Sequence, residues 1–444
     1  MSLTALAFLT VFSFFAILSF ASGPIWAVLN YLFVYLISPN PLINWWAADI
    51  PNLRWSLISA FVLLLSMFLH KTKLAEHKFL DSPISMLFII FLLLTLLLSF
   101  SAVDVSRHYE RCYDLFRYFV VYFMLVKVIK TEDDFMNVLL LLVVCGFLLG
   151  YFAYTAPRSG GRLEGVGPPD AADSNNLAII FAGILPFVLP LFFYGKNLLK
   201  GLSAAATVFI VNGIVLCNSR GGLVAIASSI VFGVILLRDK RLRRLAIIMV
   251  FFLGMTFLYL ADEQFWERSQ TITTSFEEDG ATGRFDIWKN GLRMVADYPM
   301  GTGGGGFEYL SRDYMPPELL TTGQIRASHN TYLLILVEQG IVGLILFLLI
   351  LFSLYLHLWR SYQQFNVNAA ADSLVVASHN RMLKQFTVLA LIVALVSQNV
   401  GALVSDRLYY EYFFILAALV TVYHPLFLFK DGRGSKSGRG FNSC

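Results

Sequence analysis

The chain has 444 residues, 57% of them hydrophobic and only 14% charged, with a net charge of +4 and a mean hydropathy of +0.69. Soluble domains carry about 25% charged residues, so this composition excludes a water-soluble enzyme and predicts an all-α polytopic membrane protein. The small net charge gives no basis for nucleic-acid binding. Cys112, Cys145, Cys217 and Cys444 form neither a C-x-x-C pair nor a regular spacing, which argues against a metal site or a disulfide framework.

A bilayer core of about 30 Å needs roughly 20 apolar residues per helix. Apolar runs lie near 2–21, 24–38, 55–69, 83–100, 113–129, 135–156, 176–194, 199–216, 221–237, 245–261, 330–358, 383–404 and 409–429. They predict 12 or 13 spans, because the first two runs are short and meet at Ser22-Gly23-Pro24. The first run lacks a basic leader and reads as a retained helix. The positive-inside rule sets the orientation. With the tail from Lys430 inside, 19 Lys and Arg are inside and 14 outside, and 11 of 12 lysines are inside. The outer basic residues are almost all arginine, the side chain suited to bidentate grip on carboxylate or phosphate.

The whole chain, 1–444, reads as a single membrane domain. Two outer loops stand out. The shorter, 157–175, is rich in glycine and proline and carries Arg158, Arg162, Glu164, Asp170 and Asp173. The longer, 262–328, holds 11 acidic and 6 basic residues. Within it, Arg284 to Val295 predicts an amphipathic helix with Phe285, Ile287, Trp288, Leu292 and Val295 on its apolar face, followed by a turn at Tyr298 to Gly306. The run from Asn330 to Arg360 is too long for one straight span, since about 30 helical residues make about 45 Å. A break is expected at Gln339-Gly-Ile-Val-Gly343, after a short helix from Asn330. The basic, glycine-rich tail 430–444 is expected to be disordered on the cytoplasmic side.

Three stretches carry candidate chemistry. Asn218-Ser219-Arg220-Gly221-Gly222 opens a helix: Ser219 is a good N-cap, and Arg220 adds charge to an end that already favours anions. The two glycines admit a ligand to the backbone or, equally, let helices pack closely. Thr282-Gly283-Arg284-Phe285-Asp286 starts the amphipathic helix, where Arg284 taken alone is better read as a rim arginine paired with Asp286. Ser328-His329-Asn330 stands where the large loop meets an apolar run that contains Glu338. Ionisable groups at membrane depth are functional candidates, and histidine moves protons readily near neutral pH. Ser378-His379-Asn380 repeats the tripeptide in an inner loop, so the tripeptide itself is not specific. On a continuous helix His329 and Glu338 would lie about 180° apart, which suits Glu338 to orienting the loop or a neighbouring helix. The glycine run 303–306 lacks a following Lys-Ser/Thr and is no P-loop. Glu277-Glu278-Asp279 reads as a solvated acidic segment.

The spacing of Ser219-Arg220-Gly221-Gly222, of Gly283-Arg284 through Trp288 with Pro299 and Gly301-Thr302-Gly303, and of His329-Asn330-Thr331-Tyr332 with Glu338-Gln339-Gly340 resembles the O-antigen ligase and polymerase superfamily. These are the bacterial membrane glycosyltransferases that include the WaaL ligases and Wzy polymerases. The resemblance covers about 160–345, and Arg162 to Asn176 looks like variants found near exosortase-linked polysaccharide loci. It implies a GT-C-like helical protein of the bacterial inner membrane whose site faces the periplasm. A glycan would pass from an undecaprenyl diphosphate donor to an acceptor hydroxyl, with inversion and without metal or other cofactor. Arg220 and Arg284 would bind the diphosphate and His329 would activate the acceptor. Gly221, Gly222, Arg162, Asn330 and Glu338 are expected around the substrates. The acceptor would be lipid A–core, another lipid-linked glycan or a protein, and membrane lipid would surround the helices. A polysaccharide polymerase and a protein O-oligosaccharyltransferase fit the same residues. A lipid or polysaccharide transporter is the reading from a different class, and it predicts charges paired along a central cavity.

Overall fold

The computed structural model describes residues 2–76, 78–156, 163, 165–238, 240–260, 282–320, 325–367 and 375–428. Among the described residues every regular element is helical, and each apolar run read from the sequence coincides with a helix or a consecutive pair of helices. Seven are long and apolar enough to cross a membrane: Leu3–Ala21, Pro83–Phe100, Glu132–Thr155, Ser174–Phe193, Asn197–Leu216, Gly340–Gln364 and Met382–Gly401. Pro24–Leu36, Trp55–Leu69, Arg220–Leu236 and Glu411–Phe427 are shorter and also apolar. The two remaining runs lie in Val105–Val128, whose first half is charged, and in Lys240–Leu260, which opens on a basic turn. The chain is an all-α, multi-pass membrane protein. Its first two runs are separate helices, broken at Gly23 with φ 132°.

The bundle core is aromatic and aliphatic, with Tyr31, Tyr122, Tyr412, Tyr423, Phe135 and Phe181 fully buried. Phe14, Phe61, Phe68 and Phe251 point outward. In water that exposure would be costly, whereas hydrocarbon accepts it. Cys112, Cys145 and Cys217 are buried and form no disulfide among the described residues.

Four helix starts converge at one end of the bundle, and each is fixed by a side chain that accepts otherwise unpaired backbone N–H groups. Asp104 caps Val105–Val128, Asp173 caps Ser174–Ile184, Ser219 caps Arg220–Leu236 and Asn330 caps Thr331–Glu338. The connection 402–410 threads among them. The Thr331 backbone N–H donates to the Ala402 carbonyl at 2.8 Å, the Ser405 hydroxyl donates to Asn176 at 2.7 Å, and the Glu411 N–H donates to Asp170 at 2.7 Å.

The expected break in the long apolar run is present. Thr331–Glu338 ends at Gln339, and a new helix runs from Gly340 to Val367. Gly340 has φ +68°, and a Cβ there would lie 2.4 Å from the Met300 carbonyl carbon, so the break is packed against the turn at 300–301. The helix expected over 284–295 spans Thr282–Asp297, but its apolar face is corrected. Ile287 and Met294 are buried and Trp288 and Val295 pack beside them, whereas Phe285 and Leu292 are exposed. The Ile287–Met294 stripe faces the bundle because Gly291 lets it approach Leu333 and Phe307 closely.

Candidate active site

His329 sits in a strained turn. Its φ is +51°, and Asn218 at +47° is the other non-glycine residue with positive φ among the described residues. Each stands two positions before a helix at the convergent end. Asparagine and histidine are among the side chains that tolerate this conformation best, and strain of this kind persists only where the surroundings hold it. Here Asp406 does the holding. Its carboxylate accepts the His329 N–H at 3.1 Å, the Asn330 N–H at 3.0 Å and the Ser328 hydroxyl. Asn330 then accepts from the N–H groups of Tyr332 and Leu333 at 3.0 and 3.1 Å, so its side-chain oxygen is occupied by capping. Among the described residues none hydrogen-bonds the His329 ring, which is left to meet a ligand. By contrast, the second Ser-His-Asn, at 378–380, lies inside the helix Val375–Gly401. The same tripeptide thus takes a different backbone.

Burial lowers the His329 pKa below its ordinary value of 6.5, and the nearby positive charges of Arg284 and Arg326 push the same way, while Asp406 opposes them. This biases the imidazole toward its neutral form, the form that can accept a proton. Arg284 therefore lies within electrostatic reach of His329, in keeping with the sequence spacing, and Arg326 joins it. Among the described residues the buried Arg326 Nε has no hydrogen-bond partner. The Trp288 indole donates to the Ser328 carbonyl at 3.1 Å, which ties the helix carrying Arg284 to the histidine turn.

Glu338 is buried and lines the same cavity as His329. Its Oε1 accepts the Gly305 N–H at 2.9 Å, and its Oε2 accepts the Tyr409 hydroxyl at 2.6 Å. The carbonyls of Val337 and Glu338 receive the N–H groups of Thr302 and Gly303 at 2.9 Å each. His108 completes the support by accepting the Gly304 N–H at 2.8 Å. The glycine run is a fixed shelf, which agrees with a loop-orienting role for Glu338.

Arg220 opens its helix and is exposed. Its link to the rest of the site is Ser219, which accepts the Gly222 N–H at 3.1 Å and donates to Asn175 at 2.9 Å. A Cβ on Gly221 would lie 2.7 Å from Val404, and one on Gly222 would lie 2.5 Å from Ala178. Close helix packing accounts for both glycines. Arg162 and Glu277-Glu278-Asp279 lie outside the described residues.

A cavity of about 480 Å³ opens beside His329, within the range of small-molecule sites. Arg111, Asp114 and Arg117 form one wall, Asp170, Asp173 and Asn176 a second, and Ser405, Asp406, Tyr409 and Tyr410 a third. Most of these residues escaped sequence reasoning. The available signals were Arg111-x-x-Asp114-x-x-Arg117, a one-face charged spacing at the start of a hydrophobic helix, and Asp406-Arg407 between two apolar runs.

These features define a multi-pass helical membrane protein with a densely charged site at one end of its bundle, organised around a histidine whose ring no described residue hydrogen-bonds. A family model described as O-antigen ligase matches residues 205–348, which supports the resemblance of this region to the O-antigen ligase and polymerase superfamily. The match supports membrane glycosyltransferase activity of that type. It encloses Arg220, Arg284, His329 and Glu338 and leaves out Arg111, Asp170 and Asp406. No curated protein matches the chain.

Proposed function

We propose that this protein transfers a glycan from an undecaprenyl-diphosphate-linked donor to an acceptor hydroxyl at the periplasmic face of the bacterial inner membrane. The observation that carries this is the His329 ring, which lines a polar cavity, has no hydrogen-bond partner among the described residues, and lies within the electrostatic influence of Arg284 and Arg326. A sugar hydroxyl is a weak nucleophile and gains from a base whose pKa lies near neutrality. His329 takes the hydroxyl proton as the oxygen attacks the anomeric carbon. The bond to the diphosphate breaks, and the diphosphate departs with the negative charge. Arg284 and Arg220 offset that charge as it develops. One displacement inverts the anomeric centre, and no step calls for a metal.

The ligase and the polymerase differ only in the acceptor, and a protein acceptor would meet the same base. A transporter would need charges spread along a path through the bundle. The ionisable groups around His329 instead gather at one end, which favours transfer. The test is Arg220→Ala in purified protein supplied with lipid-linked donor and candidate acceptors. Consumption of donor is expected to fall by about a hundredfold, in line with loss of a charge-stabilising donor. Unchanged consumption would remove Arg220 from the donor site.

A further inference from the structure

A second cavity, of about 260 Å³, lies well away from His329. Its walls include Phe232 and Leu236 from the helix Arg220–Leu236, Phe352, Tyr355 and Trp359 from Gly340–Val367, and Ile392 from Val375–Gly401. At 1.5 Å per residue, Trp359 stands about 28 Å along its helix from the break at Gly340. The lining exposes no polar surface, and the Tyr355 hydroxyl is engaged by the Asn399 amide at 2.8 Å. A sugar or a nucleotide would find no partner here. Phe232, Phe352 and Trp359 are exposed on the outside of the bundle, so the groove opens toward the membrane.

One rim of the groove is charged. Tyr362 donates its hydroxyl to the Leu236 carbonyl, and its ring lies 5.9 Å from that of Trp359. The Arg238 guanidinium stands 5.8 Å from the centre of the Tyr362 ring, which places an exposed positive charge beside the groove. Five of the seven residues 238–244 are basic, and Lys240, Arg241, Arg243 and Arg244 are exposed as well. Tryptophan and tyrosine favour the depth at which hydrocarbon gives way to head groups, and basic pockets between spanning helices attract anionic ones. We propose that this groove seats a membrane phospholipid of net negative head group, with an acyl chain against Phe232, Phe352 and Trp359 and its phosphate on Arg238. Charge complementarity at the rim selects this occupant, because a zwitterionic head group brings its own cation and gains less from the arginine. The seat lies between the helix that opens on Arg220 and the helix that follows the His329 segment. Bound lipid therefore ties together two elements whose far ends carry the candidate site. The assignment concerns lipid binding and stands whether or not the transfer reaction does.

Trp359 reports contact directly, because bromine on an acyl chain quenches a neighbouring indole. Purified full-length protein in phosphatidylcholine bilayers receives increasing fractions of phosphatidylglycerol or of phosphatidylcholine, each brominated on the same acyl chain. Trp359→Phe protein carried through the same series is subtracted to leave the Trp359 signal. Half of that signal is expected to be lost at about a tenfold lower fraction of brominated phosphatidylglycerol than of brominated phosphatidylcholine. Arg238→Gln is expected to erase the difference, and Arg238→Lys, which keeps the charge, to retain part of it. Equal quenching by the two lipids in wild-type protein would overturn the proposal and leave Trp359 in ordinary lipid contact. A preference unchanged in Arg238→Gln would overturn the seat given to the phosphate. Failure of either lipid to quench Trp359 would also overturn it, and would mean that protein, such as a second copy of this chain, covers the groove.

Discussion

The carboxylate of Asp406 accepts the backbone N–H of His329 at 3.1 Å and that of Asn330 at 3.0 Å. A residue 77 positions away in sequence thereby holds the histidine in the left-handed conformation that points its ring toward the cavity. The contact is with the backbone, so Asp406 fixes where the imidazole stands and affects its basicity only through its charge.

Removing that carboxylate leaves the His329 N–H without its acceptor and takes one of two acceptors from the Asn330 N–H and from the Ser328 hydroxyl. We expect Asp406→Ala to lower glycan transfer by about a hundredfold, the cost of a misplacement near 1 Å, while the helices still insert. Transfer by purified protein, compared with its yield in the membrane, measures this. Wild-type transfer by the alanine variant would show that the turn holds itself.

The pH dependence has a definite sign. His329 must be neutral to accept a proton, and burial lowers its pKa below 6.5, with Arg284 and Arg326 acting in the same direction. The acid limb of transfer is therefore expected below pH 6.5. Arg326→Gln removes a charge that disfavours the imidazolium, so the limb should move to higher pH. A shift to lower pH would contradict the placement of Arg326 beside the base.

Gly340 tests the packed break. Its φ is +68°, and a Cβ added to it would come within 2.4 Å of the Met300 backbone, which leaves no room for a side chain. Gly340→Ala is expected to destabilise the protein by about 1–3 kcal/mol, seen as a lower melting temperature in detergent. An unchanged melting temperature would mean that the two segments are free to separate.

Glu338 separates orientation from charge. Glu338→Gln keeps an oxygen for the Gly305 N–H and is expected to retain most transfer. Glu338→Ala leaves a buried N–H and the Tyr409 hydroxyl unpaired, costing about 1–3 kcal/mol for each. Thermal denaturation and transfer rates of the two variants distinguish these. Equal losses in both would assign Glu338 a role that requires its charge.

Much of this protein was legible in its sequence because hydrocarbon permits little besides helices. The apolar runs, the N-cap at Ser219 and the break at Gly340 all follow from local rules. Arg284 and His329 were singled out as candidates through motif spacing, and Arg284 acts electrostatically on His329. Asp406, Arg326 and the wall formed by Arg111 and Arg117 were not. Their roles depend on which helix ends meet in space, and the periodicity of one segment does not encode that. The apolar face of Thr282–Asp297 was misassigned for a related reason. Phe285 and Leu292 are as hydrophobic as Ile287 and Met294, and only the position of Gly291 against Leu333 decides which stripe is buried.

The central claim is that His329 activates an acceptor hydroxyl for transfer from a lipid-linked donor. Purified wild-type protein and His329→Ala, each incubated with lipid-linked glycan and acceptor, should be compared by mass analysis of the products. The wild type is expected to yield a new glycosidic bond and released lipid diphosphate, and His329→Ala neither. Wild-type product levels from His329→Ala would contradict the account.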